Sequence, residues 1–548
     1  MGLTWRASLN RSGNILAFDC VYETLYTNVN SLQCGMCRCS IFFQLCLPKM
    51  QKGLWVGLCF GRKGRPRVQI DIVLERGHCE GAGMTQTVQL PLWLFILILL
   101  FAAMTALSHF LLPSVRWFFR RRLERAVARL NTRLKRPIEP FKLARRYDMI
   151  QRLIYDPEVT HEIVVYAREH GVPENVAFQK ARDYAREIVP SFSAFAYFSF
   201  GIRVARLLAN AVYRIKTADS NDRIFDAIPK EATIVYVMNH RSNMDYVLVT
   251  YLAARDSALA YAVGEWARVW PLSRLIKSMG AYFIRRKSRG ALYRKVLARY
   301  VQMATAGGVN QAMYPEGGLS LNGKLQPPRM GLLSYVADGF DPEGERDVVL
   351  VPVAINYDRV LEDTVLIAAD QRGDRRFGAR ITVVLRFVLR KLWQRLTRQE
   401  TRFGMAAVAF GAPMSLREAG PDASIEQISE DLMGRISQTM PVLSVPVVAY
   451  ALLEQTDGYS PDALKARVGA LLEMVPQANR VIKADAIDFE LGRAIAGLVA
   501  RQIIEMRDGK WHMAEGQAPV LQFYANSIAH FLPENAALAQ EISAPAGS

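Results

Sequence analysis

His240 and Asp245 are the two residues whose types and spacing most favour catalysis in this chain. They follow Thr233–Met238, an apolar, β-branched segment that predicts a buried strand. If His240 lies in the turn after that strand, Asp245, about one turn into the next helix, can reach its imidazole ring. The carboxylate would then fix the tautomer, and His240 could deprotonate a hydroxyl group. Because H-x4-D is common by chance, an ordinary buried histidine is the alternative.

The elements around this pair alternate between short apolar segments and helical patterns, which indicates an α/β layered fold. The predicted strands are Thr233–Met238, Ala258–Val263, Ala281–Ile284, Gln311–Tyr314, Val348–Ile355 and Met405–Phe410. The predicted helices on either side are Val159–His170, Glu174–Ile188, Ile425–Thr439, Val445–Leu453, Pro461–Met474 and Glu490–Arg507. We therefore expect a catalytic domain over residues 221–420, between helical regions at 114–220 and 421–548. The aromatic segment 191–215 predicts a helix that lies in a membrane interface or packs on the catalytic domain.

The net charge of +18 is concentrated in one short segment. Residues 114–146 hold 12 Lys/Arg and 2 Asp/Glu. Outside residues 1–83 and 114–146, the chain holds 47 basic and 44 acidic side chains and is nearly neutral. A nucleic-acid-binding protein needs a basic patch on its folded body, so the composition argues against this class.

Leu90–Leu112 is a run of 23 residues without a formal charge, long enough to cross a bilayer. A buried helix is the alternative, but the basic segment follows at once, with Trp117, Phe118 and Phe119 among its arginines. The positive charge on this side predicts a single-pass anchor in the cell membrane over residues 84–113, with the catalytic domain in the cytoplasm. The basic segment is also expected to bind anionic membrane lipids.

All seven cysteines lie within the first 79 residues. Cys34, Cys37 and Cys39 could form part of a metal knuckle, but no second pair of ligands follows, so no metal site is predicted. The remainder has no thiol nucleophile and fits a reducing compartment. Because composition changes abruptly at Met84, we expect Met84 to be the true start and residues 1–83 not to form a folded domain.

Three further segments follow the H-x4-D pair in order. They are GAYFIRRKSRG (Gly280–Gly290), YPEGGLSLNGKLQPPRMG (Tyr314–Gly331) and VPVAINYDRV (Val351–Val360). Together the four blocks resemble the glycerolipid acyltransferase family, and most closely the bacterial membrane-bound glycerol-3-phosphate acyltransferases. FGAPMSL (Phe410–Leu416) and LQFYANSIAHFL (Leu521–Leu532) extend the resemblance over roughly Ala211–Pro533. It implies an acyltransferase-type mixed sheet flanked by helices.

The resemblance implies that His240 is the general base and Asp245 its partner, and that a substrate hydroxyl attacks an acyl thioester without an acyl-enzyme intermediate. Ser242 lies between them but lacks the G-x-S-x-G elbow of a serine nucleophile. The implied substrate-binding residues are Arg285, Arg286, Glu316, Gly317, Gly318, Lys324 and Arg329. Arginine suits a phosphate because its planar fork matches two oxygens, and glycines let backbone amides approach a substrate closely. A solvated basic face for the arginines and a plain tight turn for the glycines are the alternatives.

The third block departs from the family pattern at two positions. Leu319 stands where the family usually has an arginine, and Leu321 replaces a second basic residue. The departure puts one phosphate contact in doubt. Lys324 and Arg329 keep the later basic positions and could compensate for it.

The implied activity is transfer of a fatty acyl group from acyl carrier protein or acyl-CoA to the sn-1 hydroxyl of glycerol 3-phosphate, giving lysophosphatidate. This is the first step of membrane phospholipid synthesis, and it needs neither a metal nor another cofactor. One alternative is acylation of lysophosphatidate at sn-2, or of another phosphorylated polyol. A second alternative is a non-enzymatic membrane scaffold or lipid-binding pseudoenzyme, against which the intact H-x4-D pair argues.

Overall fold

The computed structural model describes the strands within residues 5–91, parts of 93–134, and most of the chain after that. From residue 136 onward the described ranges are 136–217, 221–253, 258–264, 272–285, 290–373, 403–420 and 423–533. The chain divides into two compact units, Met1–Ala126 and Val127–Ser548.

The described strands of the first unit form two antiparallel sheets. One pairs Trp5–Leu9 (β1) with Ile15–Cys20 (β2), and the other contains, in order, Ser40–Cys46 (β3), Lys52–Phe60 (β4), Arg67–Arg76 (β5) and Thr85–Pro91 (β6). In β5, Val68, Ile70 and Ile72 alternate with polar residues, a pattern typical of a strand. Residues 1–83 thus contain paired strands where no folded domain is predicted, and the start at Met84 stays a prediction.

The predicted span Leu90–Leu112 lies partly outside the described residues. Its first two residues end β6, and residues 96–102 are helical. Within the described part of the chain, no helix combines the length and the apolar character needed to cross a membrane. The single-pass anchor therefore stays a prediction.

The second unit is built around an eight-stranded mixed sheet. In spatial order its strands are Tyr282–Ile284 (β10), Ala260–Gly264 (β9), Gln311–Met313 (β11), Thr233–Met238 (β8), Val348–Tyr357 (β12), Met405–Phe410 (β13) and Arg214–Thr217 (β7), with Met414–Ser415 (β14) also paired to β12. The strands from β10 to β12 are parallel, whereas β13 runs antiparallel to β12. The predicted mixed α/β fold is confirmed, and each of the six predicted strands is present.

The central strands of this sheet are buried on both faces. Ile234, Tyr236 and Met238 of β8 belong to one apolar core, whereas Val235 and Val237 belong to a second core on the opposite face. All residues of β12 are buried as well. A strand that is covered on both sides forms a nearly continuous apolar run, which explains why these strands can be predicted from the sequence.

Helices cover both faces of the sheet. In chain order the α-helices are Pro140–Leu143 (α1), Arg146–Ile154 (α2), Pro157–His170 (α3), Glu174–Ile188 (α4), Ile202–Val212 (α5), Asn221–Asp226 (α6), Asp245–Ala253 (α7), Leu272–Ser278 (α8), Ala291–Ala306 (α9), Gly331–Asp338 (α10), Asp363–Gln371 (α11), Leu416–Ala419 (α12), Ile425–Gln438 (α13), Ser444–Glu454 (α14), Pro461–Met474 (α15), Ile487–Val499 (α16) and Ala518–Ala525 (α17). The first core is covered by α5, α7 and α14 to α17, and the second by α2 to α4, α9 and α13. Five of the six predicted helices are confirmed, as α3, α4, α13, α14 and α15.

The sixth predicted helix, Glu490–Arg507, is wrong at its C-terminal end. The helix α16 ends early, and Ile504–Arg507 (β15) pairs with Lys510–Met513 (β16) in an antiparallel hairpin. Between these strands, Asp508 and Gly509 have φ angles of 48° and 74°. A type I′ turn needs positive φ at both central positions, and Asp-Gly is one of its preferred pairs.

The segment 191–215 packs on the catalytic domain, which is one of its two predicted placements. A π-helix at Ala196–Gly201 leads into α5, and α5 contacts α7. The buried hydroxyl of Tyr197 accepts a hydrogen bond from the N–H of Leu259 at 3.1 Å. This contact fixes the segment beside the start of β9.

Gly323 tests how closely the C-terminal helices must approach the catalytic domain. A Cβ atom on Gly323 would lie 1.9 Å from the carbonyl oxygen of Phe523, and the φ of this glycine is +82°. Gly323→Ala should therefore lower the free energy of unfolding by about 2–4 kcal/mol. Gly469→Ala, within α15 and with no atom inside 4 Å of its Cβ, should raise it by about 0.5–1 kcal/mol. Thermal unfolding measures both changes, and a stabilised Gly323→Ala variant would contradict the close approach.

Candidate active site

His240 lies in the turn between β8 and α7. Its Nδ1 atom is 2.9 Å from Oδ2 of Asp245, and both side chains are buried. An ionised carboxylate only accepts hydrogen bonds, so Nδ1 carries the proton and Nε2 is left to act as a base. The structure thus brings the two predicted catalytic residues together in a geometry that suits general-base catalysis.

Asp245 also closes the turn around the histidine. Its Oδ2 atom accepts hydrogen bonds from the N–H groups of Arg241 and Ser242 at 2.8 and 3.0 Å. The hydroxyl of Tyr357, at the end of β12, donates to Oδ1. Burial raises the pKa of Tyr357, so this hydroxyl keeps its proton. The buried carboxylate is therefore stabilised by several donors besides the imidazole.

Glu316 supports the backbone of the histidine. Its Oε1 accepts a hydrogen bond from the His240 N–H at 2.9 Å, and its Oε2 accepts one from the Gln326 N–H at 3.2 Å. In return, the N–H of Ser320 donates to the His240 carbonyl at 2.9 Å. The sequence predicts a substrate contact for Glu316. Both of its oxygens instead bind backbone amides, because the E-G-G loop folds back on the turn.

Aromatic rings enclose the imidazole. The ring of Tyr314 stacks on His240 with centroids 4.0 Å apart, and Tyr246 meets it edge-on at 5.6 Å. An aromatic face near an imidazolium stabilises its positive charge. Tyr246 and Tyr357 are not predicted from the sequence, although Tyr246 directly follows Asp245 and Tyr357 belongs to the fourth block.

The two predicted glycines differ in their roles. Gly317 has a φ of +69°, and a Cβ there would lie 2.8 Å from Cδ of Arg329. Its N–H donates to the carbonyl of Tyr314 at 3.1 Å, so this amide is already used within the turn. The N–H of Gly318 has no acceptor among the described residues.

The predicted basic residues also divide into two groups. Arg285 forms a bidentate pair with Glu187, with nitrogen–oxygen distances of 2.9 and 2.6 Å. The hydrogen bonds to Glu187 raise the pKa of Arg285 further, and the arginine is engaged away from the dyad. Arg286 lies outside the described residues. In the part of the chain that is described, Lys324 and Arg329 have no carboxylate partner.

The leucines that replace basic residues in the third block serve the apolar core. Leu319 and Leu321 are partly buried and pack against the core that contains Tyr236 and Met238. Their side chains therefore contribute to packing at positions where the family pattern places cations. The basic surface of this loop is reduced to Lys324 and Arg329.

Arg241 and Glu362 contact the turn, and neither is predicted from the sequence. Arg241 is 2% exposed, donates to the Gly323 carbonyl and lies 5.0 Å from the ring centroid of Phe523. Burial lowers the pKa of Arg241. Glu362 accepts hydrogen bonds from Ser242 and Asn243. Arg241 could have been noted as the neighbour of the histidine, whereas Glu362 lies outside every block.

Two family models match the chain. Residues 221–356 match the model described as Acyltransferase, and residues 389–546 match the glycerol-3-phosphate acyltransferase C-terminal region. Together with the mixed sheet and the dyad, these matches define the class: an acyltransferase domain followed by the C-terminal region of the glycerol-3-phosphate acyltransferases. The resemblance carried by the four sequence blocks is thereby confirmed.

Curated relatives carry the more particular name. The glycerol-3-phosphate acyltransferase of Aeromonas hydrophila is 26% identical over 416 residues, which cover 71% of this chain and 50% of the relative. That of Actinobacillus succinogenes is 27% identical over 424 residues, with the same coverage. The chain spans about half the length of the curated relatives it matches. A crystal structure of the 1-acyl-sn-glycerophosphate acyltransferase PlsC of Thermotoga maritima is 16% identical, covers 50% of this chain and 92% of its own, and has a TM-score of 0.28, too low to compare the folds.

Glu316 generates a pH-dependent prediction. Burial raises its pKa from 4.5 to about 8, so the folded protein keeps a proton that the unfolded chain releases at lower pH. The free energy of unfolding should therefore fall as the pH rises from about 4.5 to about 8, by at most about 1.4 kcal/mol per pH unit. Glu316→Gln is uncharged at every pH and should lack this contribution. Thermal unfolding across this range compares the two, with exposed Glu430→Gln as the control, and parallel curves for Glu316→Gln and the unmodified chain would refute it.

Proposed function

We propose that the chain transfers a fatty acyl group from a thioester to the sn-1 hydroxyl of glycerol 3-phosphate, giving lysophosphatidate. The observation that carries this proposal is the buried His240–Asp245 dyad, whose backbone is held by Glu316 of the E-G-G loop. The two family matches and the names of the relatives support the same activity. The acyl donor is acyl carrier protein or acyl-CoA, since each presents a thioester.

The proposed reaction uses the dyad as base and then as acid. His240 Nε2 takes the proton of the glycerol hydroxyl as its oxygen attacks the thioester carbonyl carbon. A C–O bond forms and the carbonyl becomes an oxyanion; its collapse then breaks the C–S bond. The imidazolium returns the proton to the leaving thiolate. Asp245 stabilises the imidazolium, and the N–H of Gly318 is the proposed donor to the oxyanion.

Lys324 and Arg329 are the proposed ligands of the substrate phosphate. Both lie on the loop that contacts the dyad, and neither has a carboxylate partner among the described residues. Arg285 is already paired with Glu187, while Arg286 stays a predicted ligand. The apolar Leu319 reduces the basic surface, which keeps acylation of lysophosphatidate as a second candidate.

The first prediction concerns the base. His240→Ala should lower the rate of acyl transfer by about 10²–10⁴-fold, because the hydroxyl then loses its proton acceptor. Asp245→Asn should lower the rate as well, since it favours the wrong tautomer. His161→Ala, an exposed histidine on α3, should keep full activity. Membranes that contain each variant are assayed with radiolabelled glycerol 3-phosphate and each acyl donor in turn.

The outcomes of this assay separate the candidates. Equal product from His240→Ala and from the unmodified chain would show that the base is assigned wrongly. Acylation of lysophosphatidate but not of glycerol 3-phosphate would favour transfer to sn-2. If no acceptor is labelled with either donor, the chain is a scaffold or lipid-binding protein instead.

We also propose that the chain is a single-pass protein of the cell membrane with its catalytic domain in the cytoplasm. The uncharged segment Leu90–Leu112 and the basic residues 114–146 support this arrangement. Where the structure describes the segment, Leu100 and Phe101 are 62% and 68% exposed. Contiguous exposed apolar side chains favour a lipid or protein environment over water. The basic residues would bind anionic lipids at the same surface.

The second prediction tests this anchor. The full chain should stay in the membrane pellet after washing with alkaline carbonate. Leu100→Lys combined with Phe101→Lys should release it, because each charge at the bilayer centre costs about 3 kcal/mol. The matched control is Phe489→Lys combined with Met506→Lys, two exposed apolar positions in the C-terminal region, which should stay in the pellet. Retention of the Leu100–Phe101 variant would count against the anchor.

A further inference from the structure

Glu362 holds the turn that carries the catalytic base. One of its carboxylate oxygens accepts a hydrogen bond from the Ser242 hydroxyl at 2.8 Å. The other accepts two from Asn243, from its side-chain amide at 3.0 Å and from its backbone N–H at 3.3 Å. The Ser242 oxygen in turn accepts the N–H of Met244 at 3.1 Å. The whole turn is therefore tied either to the dyad carboxylate or to Glu362.

The next residue, Asp363, holds the C-terminal region. Its Oδ2 atom accepts a hydrogen bond from the Tyr524 hydroxyl at 2.5 Å and forms an ion pair with Arg501. The Tyr524 oxygen also accepts the N–H of Val360 at 3.1 Å. Asp363 and Tyr524 are buried, so these groups have exchanged water for one another. Removing one partner of such a buried network leaves the other unsatisfied.

The two carboxylates lie where β12 leads into α11, with Asp363 as the first residue of that helix. This link falls between the two family matches, at residues 221–356 and 389–546. The partners of Glu362 lie in the first matched segment, and Tyr524 and Arg501 lie in the second. A displacement of the start of α11 would therefore reach both.

A second set of contacts crosses the same boundary. The side-chain amide of Asn526 donates to the carbonyl of Asn322 at 2.8 Å. Arg241 donates to the carbonyl of Gly323 and lies over the ring of Phe523. The C-terminal region thus contacts the E-G-G loop directly as well as contacting the turn through the two carboxylates.

We infer that Glu362 is a positioning residue for His240, and that Asp363 and Tyr524 make this positioning depend on the docked C-terminal region. The kinetic part of the inference rests on the proposed acyl transfer, whereas the structural part does not. Without Glu362, Ser242 and Asn243 lose their common acceptor and the turn loosens. A displacement of about 1 Å in a catalytic group costs about 10²-fold in rate.

The test uses the full chain in membranes and compares four variants: Glu362→Ala, Glu362→Gln, Tyr524→Phe and the Glu362→Ala, Tyr524→Phe double variant. We expect kcat to fall about 10²-fold in Glu362→Ala and about tenfold in Tyr524→Phe. The KM for glycerol 3-phosphate should stay nearly constant, because the proposed phosphate ligands lie on another loop. Glu362→Gln keeps one acceptor and should recover part of the rate. The controls are Glu430→Ala and Tyr147→Phe, both at exposed positions.

The double variant measures whether the two residues act through one element. If they do, its kcat should be close to that of Glu362→Ala alone, because the turn is already released. Losses that simply multiply would overturn the coupling. A loss that appears in KM with kcat unchanged would overturn the positioning role.

Amide hydrogen exchange gives a readout that does not need turnover. The backbone amides of residues 241–245 should exchange faster in Glu362→Ala and in Tyr524→Phe, while those of β8 and β12 stay protected. His240→Ala should be inactive yet keep the turn protected. If the unmodified chain transfers no acyl group, the proposed function fails while this measurement still decides the inference. Unchanged exchange in Glu362→Ala would overturn the positioning role, and unchanged exchange in Tyr524→Phe would overturn the coupling. Should Glu362→Ala exchange faster throughout the chain, Glu362→Gln decides the positioning role in its place.

Discussion

A buried carboxylate is costly unless its oxygens are fully supplied with hydrogen-bond donors, and Asp245 has four: one imidazole, two backbone amides and one phenol. This requirement constrains the surrounding chain. The strand β8 has to end at Met238 so that the turn can fold over the carboxylate, and Tyr357 has to come from the adjacent strand. The register supplies this, because β8 and β12 are parallel with Met238 opposite Val353, and β12 then continues to Tyr357.

The position of the base is set by three loops and not by the H-x4-D motif alone. The motif provides the contact between imidazole and carboxylate, Glu316 of the E-G-G loop holds the His240 backbone, and Glu362 holds the residues between the pair. Each of these supports is a buried acidic side chain bound to backbone or hydroxyl donors. Such contacts have narrow geometry and leave little freedom for the imidazole.

The sequence predicts what depends on local pattern. The central strands could be found because they are buried on both faces, and the dyad because a histidine just after a strand and an aspartate at a helix start must lie close together. The role of Glu316 could not be found, since a short motif does not tell whether a carboxylate faces a substrate or a backbone amide. The pairing of Arg285 with Glu187 joins distant parts of the chain, which no local pattern contains. The Asp508–Gly509 turn did carry a local signal, but the helical period around it was given more weight.

The contact between Gly323 and Phe523 has a consequence for the order in which the molecule is assembled. About 200 residues separate the two positions, and a ribosome that adds about 5–20 residues per second needs some tens of seconds to cover that distance. During this interval all four sequence blocks have been synthesised, yet the loop at Gly323 and the carboxylate of Asp363 still lack their C-terminal partners. The nascent chain therefore holds every residue of the dyad long before it holds the groups that close over them, and the site is completed among the last events of synthesis.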